Sequence, residues 1–242
     1  PPIDHLLRKE TMVFHPFSRR SLTFPIAKRT FPPPTRTPMP AQDHSYPDHP
    51  TRCPWVDLTK ADYISYHDDE WGVPVYDDRL MFESIILEGA QAGLSWYTVL
   101  RKRENYRSLF NGFDPVTVAT YSHRKINAIL KNPGIIRNKQ KVAAAVNNAQ
   151  RFLEVQKEFS SFTEYIWRFV GGAPMVNQHR REIGFRATSI ESDAMSKDLR
   201  QRGFKFVGST ICYAHMQASG MVNDHTIDCF RRQQIIDGYN TN

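Results

Sequence analysis

Cysteine is nearly missing from this sequence: three in 242 residues, Cys53, Cys212 and Cys229. So small and odd a number excludes a disulfide framework and argues against secretion. Three thiolates also cannot supply the four of an iron–sulfur cluster. No apolar run approaches the roughly 20 residues that span a bilayer, so nothing reads as a transmembrane helix. Segments of strict apolar–polar alternation closed by hairpin turns are lacking too, which removes the sandwich and barrel classes. Acidic residues are absent from positions 11–42, and proline is scarce beyond residue 50, with 11 of the 16 prolines before it. Proline at that density blocks helices and central strands, so residues 1–50 are expected to be a disordered or extended, basic extension.

That acid-free stretch is compatible with organelle import. The plainer expectation is an upstream extension, with Met12 or Met39 as a candidate start. The chain carries a formal charge of +7, of which residues 52–232 hold 25 basic against 20 acidic side chains. A modest excess of this kind permits a nucleic-acid partner without requiring one.

Helical spacing dominates from Cys53 onward. In KQKVAAAVNNAQRFL, Val142, Ala145, Val146, Ala149, Phe152 and Leu153 fall on one face. DRLMFESIILEGAQ repeats the pattern, and Ser95 in GLSWYTVL is placed to cap a new helix after Gly93. Gly, Pro and Asn breaks separate further helical segments. The expectation is an all-α domain over residues 51–232 with about eight helices and short loops, followed by a flexible tail at 233–242.

The segment VNDHTIDCFRR sets His225 and Cys229 four apart, which on a helix puts both on one face. This is half of a tetrahedral zinc site, and equally an ordinary helix end with a buried His and Cys. Cys53 and His67 form a second Cys–His pair at the start of the domain, while Cys212 and His215 lie in an apolar helix where packing accounts for them. Two pairs from opposite ends would make a closed, structural site with no position left for a substrate water.

Four blocks in order, RCPWVDLTKADYISYHDDEWGVPVYDD, LEGAQAGLSWYTVLRKRENYRSLFNGFDP, GIIRNKQK and GFKFVGSTICYAHMQASGMVNDH, resemble the DNA-3-methyladenine glycosylase I family. These are zinc-containing bacterial enzymes that excise 3-methyladenine from alkylated DNA. The likeness runs from Arg52 to about Cys229. It implies a helix-hairpin-helix fold, one structural Zn2+ held by Cys53, His67, His225 and Cys229, no organic cofactor, and a monomer acting on double-stranded DNA in the cytoplasm. It further implies that Tyr66, Trp96 and Trp55 line the base pocket and that Glu88 binds the modified base. Gly93 and Leu94 take the place of the wedge that fills the vacated stack, and Trp71 stays open between pocket wall and core.

The physical reading agrees with these roles. A base is read by extruding it into a pocket that stacks and hydrogen-bonds it. 3-Methyladenine in DNA is cationic, so a carboxylate and an indole face favour it over adenine. Many glycosylases of this fold carry a catalytic Asp in the helix after the hairpin, but NKQKVAAAVNNAQRFLEV has none. The family resembled here lacks that Asp too, and the resemblance makes Glu88, which from the residues alone could equally be an exposed helix-end acid, the candidate catalytic group. The hairpin itself, NPGIIRNKQK, offers Gly134 and the charges of Lys139 and Lys141 to a phosphate. Its second expected glycine is replaced by Ile136, so on its own the motif is weak. Arg101, Lys102, Arg103 and Arg107 read as a solvated basic face. A DNA-binding module without catalysis would need no Glu88, Tyr66 and Trp96 together, and a small-molecule zinc hydrolase fails if all four ligands come from protein.

Overall fold

The computed structural model describes residues 50–179 and 187–240. The expected extension at 1–50, apart from Pro50, lies outside them. Among the described residues no helix is long and apolar enough to cross a membrane.

The expected all-α architecture is present, with more and shorter helices than the sequence suggests: α1 Ala61–Ser65, α2 Asp78–Gln91, α3 Trp96–Leu100, α4 Arg103–Leu109, α5 Pro115–Ala119, α6 His123–Leu130, α7 Lys139–Phe159, α8 Phe162–Trp167, α9 Ile190–Gln201, α10 Ser209–Ala218 and α11 Phe230–Asn240. The increase comes from side-chain caps that divide runs of continuous periodicity. Ser95 accepts from the Thr98 amide and starts α3, and Ser122 accepts from the Lys125 amide and separates α6 from α5. Each cap satisfies an N–H that the helix cannot, worth about 1 kcal/mol. One parallel pairing escaped the sequence: β1 Met175–Val176 lies against β2 Val222–Asn223. Residues 233–240, expected as part of a flexible tail, instead continue α11, where Ile235 is buried. With only the Ile235–Ile236 pair between polar residues, the stretch carries little apolar signal in the sequence.

Helix α2 is apolar almost all round, with Met81, Phe82, Ile85, Ile86, Leu87 and Ala90 buried, and so it runs through the interior. Against it pack Val142, Ala145, Ala149 and Phe152 of α7 and the rings of Phe110, Phe113 and Phe162. Each large side chain removed from water contributes about 1.5–3 kcal/mol. A second, smaller cluster gathers Cys53, Val56, Tyr66, Trp71, Leu100 and Cys229, and Trp96 packs against both clusters. Glu88 and Trp96 therefore stand at the seam between two cores.

Two close crossings tie the first segment of the described domain to its last. Residues 72–75 run along 217–220, with the Gly72 amide donating to Gln217 O at 3.0 Å and the Val75 amide to Ser219 O at 3.0 Å. At Gly220, φ is +68° and an added Cβ would sit 2.3 Å from the Val73 carbonyl carbon, so only glycine fits. The Phe230 amide donates to Thr51 O at 3.0 Å, stitching the start of the domain to its last helix.

Candidate functional site

Cys53, His67, His225 and Cys229 are all buried, and one ligand atom from each lies within 4.8 Å of the others. The Cys229 sulfur is 3.5 Å from His67 Nε2 and 3.3 Å from His225 Nδ1, and the Cys53 sulfur is 3.4 Å from the same Nδ1. Hydrogen bonding fixes both ring tautomers. His225 Nε2 donates to the Trp71 carbonyl at 3.0 Å, since a carbonyl can only accept. His67 Nδ1 donates to the Asp68 carboxylate at 2.7 Å, and Arg52 holds that carboxylate from the other side at 2.6 Å. The nitrogens left with lone pairs, His67 Nε2 and His225 Nδ1, are the two that face the thiols.

The thiols share the strain of their proximity. Hydrogen bonding from Cys53, then from His225 and His67, holds the Cys229 thiol far below its ordinary value. Cys53 is displaced upward by the same partner and by burial. Two sulfurs and two oriented imidazoles in this space match the donor set of a tetrahedral soft-metal site with its supporting hydrogen bonds already made. His225 and Cys229 do not share a helix face. They lie in the loop ahead of α11, where the Cys229 amide donates to Thr226 O at 2.9 Å and folds the segment into a tight turn. Cys212 and His215 sit elsewhere, in α10, with Cys212 Sγ on Val207 O and His215 Nδ1 paired to the Ser84 hydroxyl.

Tyr66 and His67 begin a short π-turn, Tyr66–Glu70, closed by the Trp71 amide donating to Tyr66 O at 2.9 Å. Such wide turns recur at functional positions because they re-aim side chains. Here both neighbours are buried, His67 towards the cluster and Tyr66 towards Trp96, whose ring lies 5.3 Å away. Trp55 spans both directions, 5.3 Å from His67 and 6.4 Å from Tyr66. Trp71, left open above, packs edge-on to His225 at 4.7 Å and to Trp55 at 5.0 Å, so it belongs with the cluster.

Glu88 is 4% exposed, and its carboxylate has no hydrogen-bond partner among the described residues. Burial pushes its pKa up to about 8. The neighbouring Tyr66 hydroxyl is also raised, first by burial and then by the Glu88 charge. The indole nitrogens of Trp96 and Trp55 are buried without a partner as well. Unsatisfied buried polar groups cost about 1–3 kcal/mol each, so two indole N–H groups against the Tyr66 ring, with a buried carboxyl acting on the same tyrosine, mark a place made for something else.

Beyond Glu88 the chain turns at Gln91–Leu94. The Leu94 amide donates to Gln91 O at 2.7 Å, Ala92 has φ −43° and ψ 115°, and Gly93 has φ +78°. This is a type II turn, which needs a glycine at its third position. Leu94, at the end of the turn, is 39% exposed despite being apolar. The hairpin between α6 and α7 is anchored from outside: Lys102 Nζ donates to Pro133 O at 2.9 Å, and the Ile136 amide donates to Tyr106 Oη at 3.2 Å. The Gly134 amide is taken up by the Asn132 side chain at 2.7 Å. Lys139 is exposed on the first turn of α7. Lys141 points inward, its ammonium donating to Ala90 O at 2.9 Å and Ala92 O at 2.6 Å.

The basic run also departs from a solvated face. Arg103 grips Glu70 with two bonds of 2.6 and 2.7 Å, and Arg107 grips Glu83 at 2.7 Å. Glu70, Glu83 and Asp68, the partners of these cations and of His67, had no part in the sequence expectations. An acid directly after a ligand-type histidine was the one available signal, and it applied to Asp68.

A sequence model of the methyladenine glycosylase family matches residues 55–232. The chain belongs to the methyladenine glycosylase family. It is 48% identical to DNA-3-methyladenine glycosylase 1 of Escherichia coli K12, over 74% of this chain and 95% of that one. It is 47% identical to a DNA-3-methyladenine glycosylase of Haemophilus influenzae, over 74% and 96%. A crystal structure of 3-methyladenine DNA glycosylase I superposes with a TM-score of 0.72 at 48% identity, covering 74% of this chain and 98% of that chain. A variant of such an enzyme in complex with 3-methyladenine gives 0.70 at 34% identity, covering 72% and 93%.

Proposed function

We propose that this protein is a monofunctional DNA glycosylase that hydrolyses the N-glycosidic bond of 3-methyladenine in double-stranded DNA, leaving an abasic site that begins base excision repair. The observation that carries this is the buried carboxyl of Glu88, with no charge or hydrogen bond offsetting its burial, acting on Tyr66, whose ring lies against Trp96.

An uncharged pocket would serve a neutral base, whereas an unpaired carboxyl in low dielectric is suited to a cation. On this reading the extruded base stacks on Trp96 and Tyr66, Trp55 closes the wall, and Glu88 gives up its proton and pairs with the positive ring. Alkylation has already made the base a good leaving group. Binding that strengthens as the sugar acquires positive charge then supplies much of the rate. Leu94 on its type II turn fills the vacated stack, Gly93 permits the turn, and Gly134 and Lys139 on the hairpin meet the phosphates.

Cys53, His67, His225 and Cys229 hold one structural zinc ion. All four donors come from protein, so the metal supplies cross-linking rather than chemistry. The protein works as a monomer.

The test is duplex DNA treated with a methylating agent and incubated with the protein, the released bases being separated by chromatography. Free 3-methyladenine from the wild type, and little from Glu88→Gln, is the expected result. Duplex binding without any released base would replace this reading with that of a damage-binding module.

A further inference from the structure

The geometry points to Lys141 as a positioning residue that sets the wedge turn, a role resting on the glycosylase reading above. As a basic residue in the first turn of α7, it stands where a helix dipole disfavours positive charge. Asn138 caps the Lys141 amide, but the ammonium turns away from solvent to the end of α2. There the last carbonyls lack intrahelical partners, and the negative end of that helix favours a cation. Burial lowers the Lys141 pKa, consistent with an ammonium drawn out of water.

Its two acceptors matter. Ala90 O belongs to the last turn of α2, two residues beyond Glu88, and Ala92 O belongs to the type II turn itself. In such a turn the second residue's carbonyl projects away from the chain, so a donor there fixes the peptide plane between Ala92 and Gly93. Gln91 closes the turn from within, its Nε2 donating to Leu94 O at 2.8 Å. A reciprocal bond runs the other way: Lys102, just after α3, donates to Pro133 O in the hairpin. Lys141 thus ties the wedge turn to the first turn of α7, while Lys102 ties the preceding hairpin to the end of α3. Lys141 acts through Leu94 and touches neither base nor phosphate.

The experiment compares wild type with Lys141→Met, which keeps the aliphatic stem and removes the donors. Single-turnover excision is measured on two duplexes carrying one 3-methyladenine, opposite thymine or opposite an abasic site. An unpaired lesion needs less help to leave the helix. A wedge out of place therefore slows the paired duplex by at least ~10-fold and the unpaired one by no more than roughly 3-fold. In a Leu94→Ala background, Lys141→Met adds little further loss, because the two act as one unit. Equal loss on both duplexes, no loss on either, or full additivity with Leu94→Ala overturns the inference. So does a fall of about one in the slope of log affinity against log salt, which would make Lys141 a phosphate contact. Lys139→Met is the control, expected to reduce that slope and to weaken both duplexes alike. If Lys141→Met does not fold, Lys141→Gln, with fewer donors and a similar stem, carries the same comparison. A wild type that releases no base from either duplex sinks the glycosylase reading itself, a distinct result from an active wild type indifferent to Lys141.

Discussion

The Cys–His cluster and the Glu88 site touch through two consecutive residues, His67 and Tyr66, yet treat their polar atoms in opposite ways. In the cluster each imidazole donates from one nitrogen to protein, His67 to Asp68 and His225 to Trp71, and turns the other to sulfur, His67 Nε2 also accepting from the Cys53 amide. At the Glu88 site a carboxyl and two indole N–H groups are buried with nothing to bond. A group whose partners are complete stabilises a fold. A group left incomplete costs stability and is retained for a ligand that completes it. Burial alone does not separate the two, since both lie in the interior; the partners do.

The strongest way to break the contrast is to remove a cluster ligand. Cys229→Ser should lose the bound metal and lower the melting temperature by ~10 °C or more, because metal binding is folding energy in such sites. Metal analysis with thermal melts checks this, and an unchanged melt would remove the structural role.

Glu88→Gln should do the reverse. Excision is expected to fall by about 100-fold or more, measured in single turnovers, while the melting temperature at pH 8 rises by several degrees.

Titration sharpens the same point. Unfolded, Glu88 loses its proton near pH 4.5; folded, it keeps it to about 8. Between those values the native state holds the extra proton, so wild-type stability falls as pH rises and levels off above about 8. The span is on the order of 3–5 kcal/mol. Glu88→Gln should lack that component in urea titrations from pH 5 to 9, and an identical slope in the two proteins would deny the buried carboxyl its cost.

The smallest effect lies one step behind the ligands. Asp68→Ala frees the His67 ring and should weaken metal binding about 10- to 100-fold in competition with a chelating dye, without abolishing it.

Much of this was legible in residue order and some was not. One helix start showed through Ser95, and Ser122 and Asn138, unremarked in the sequence, cap in the same way, their short polar side chains satisfying amides within a few residues. The breaks they impose were underestimated, because apolar spacing continues across them. The pair of Cys–His segments was visible as candidate ligands, and the family likeness chose among them. Their local geometry was not visible: four-residue spacing suggested a helix face, where the chain makes a turn. The π-turn left no mark, since a wide turn differs from an α-turn by one hydrogen bond. Long-range pairings were the least accessible. Nothing near Arg103 or Lys141 in sequence says that one meets Glu70 and the other the end of α2, 33 and about 50 residues away.

The stitched ends of the domain have a mechanical consequence. Thr51 and Phe230 are hydrogen-bonded to each other, and the sulfur ligands beside them are 176 positions apart, from 53 to 229. Tension applied between residues 51 and 230 runs across that clasp, so the domain between them hangs as an unloaded loop. A machine pulling from the carboxyl side must first peel away α11 and then open the clasp before the aromatic interior feels any pull, whereas a grip on a surface loop meets packing alone.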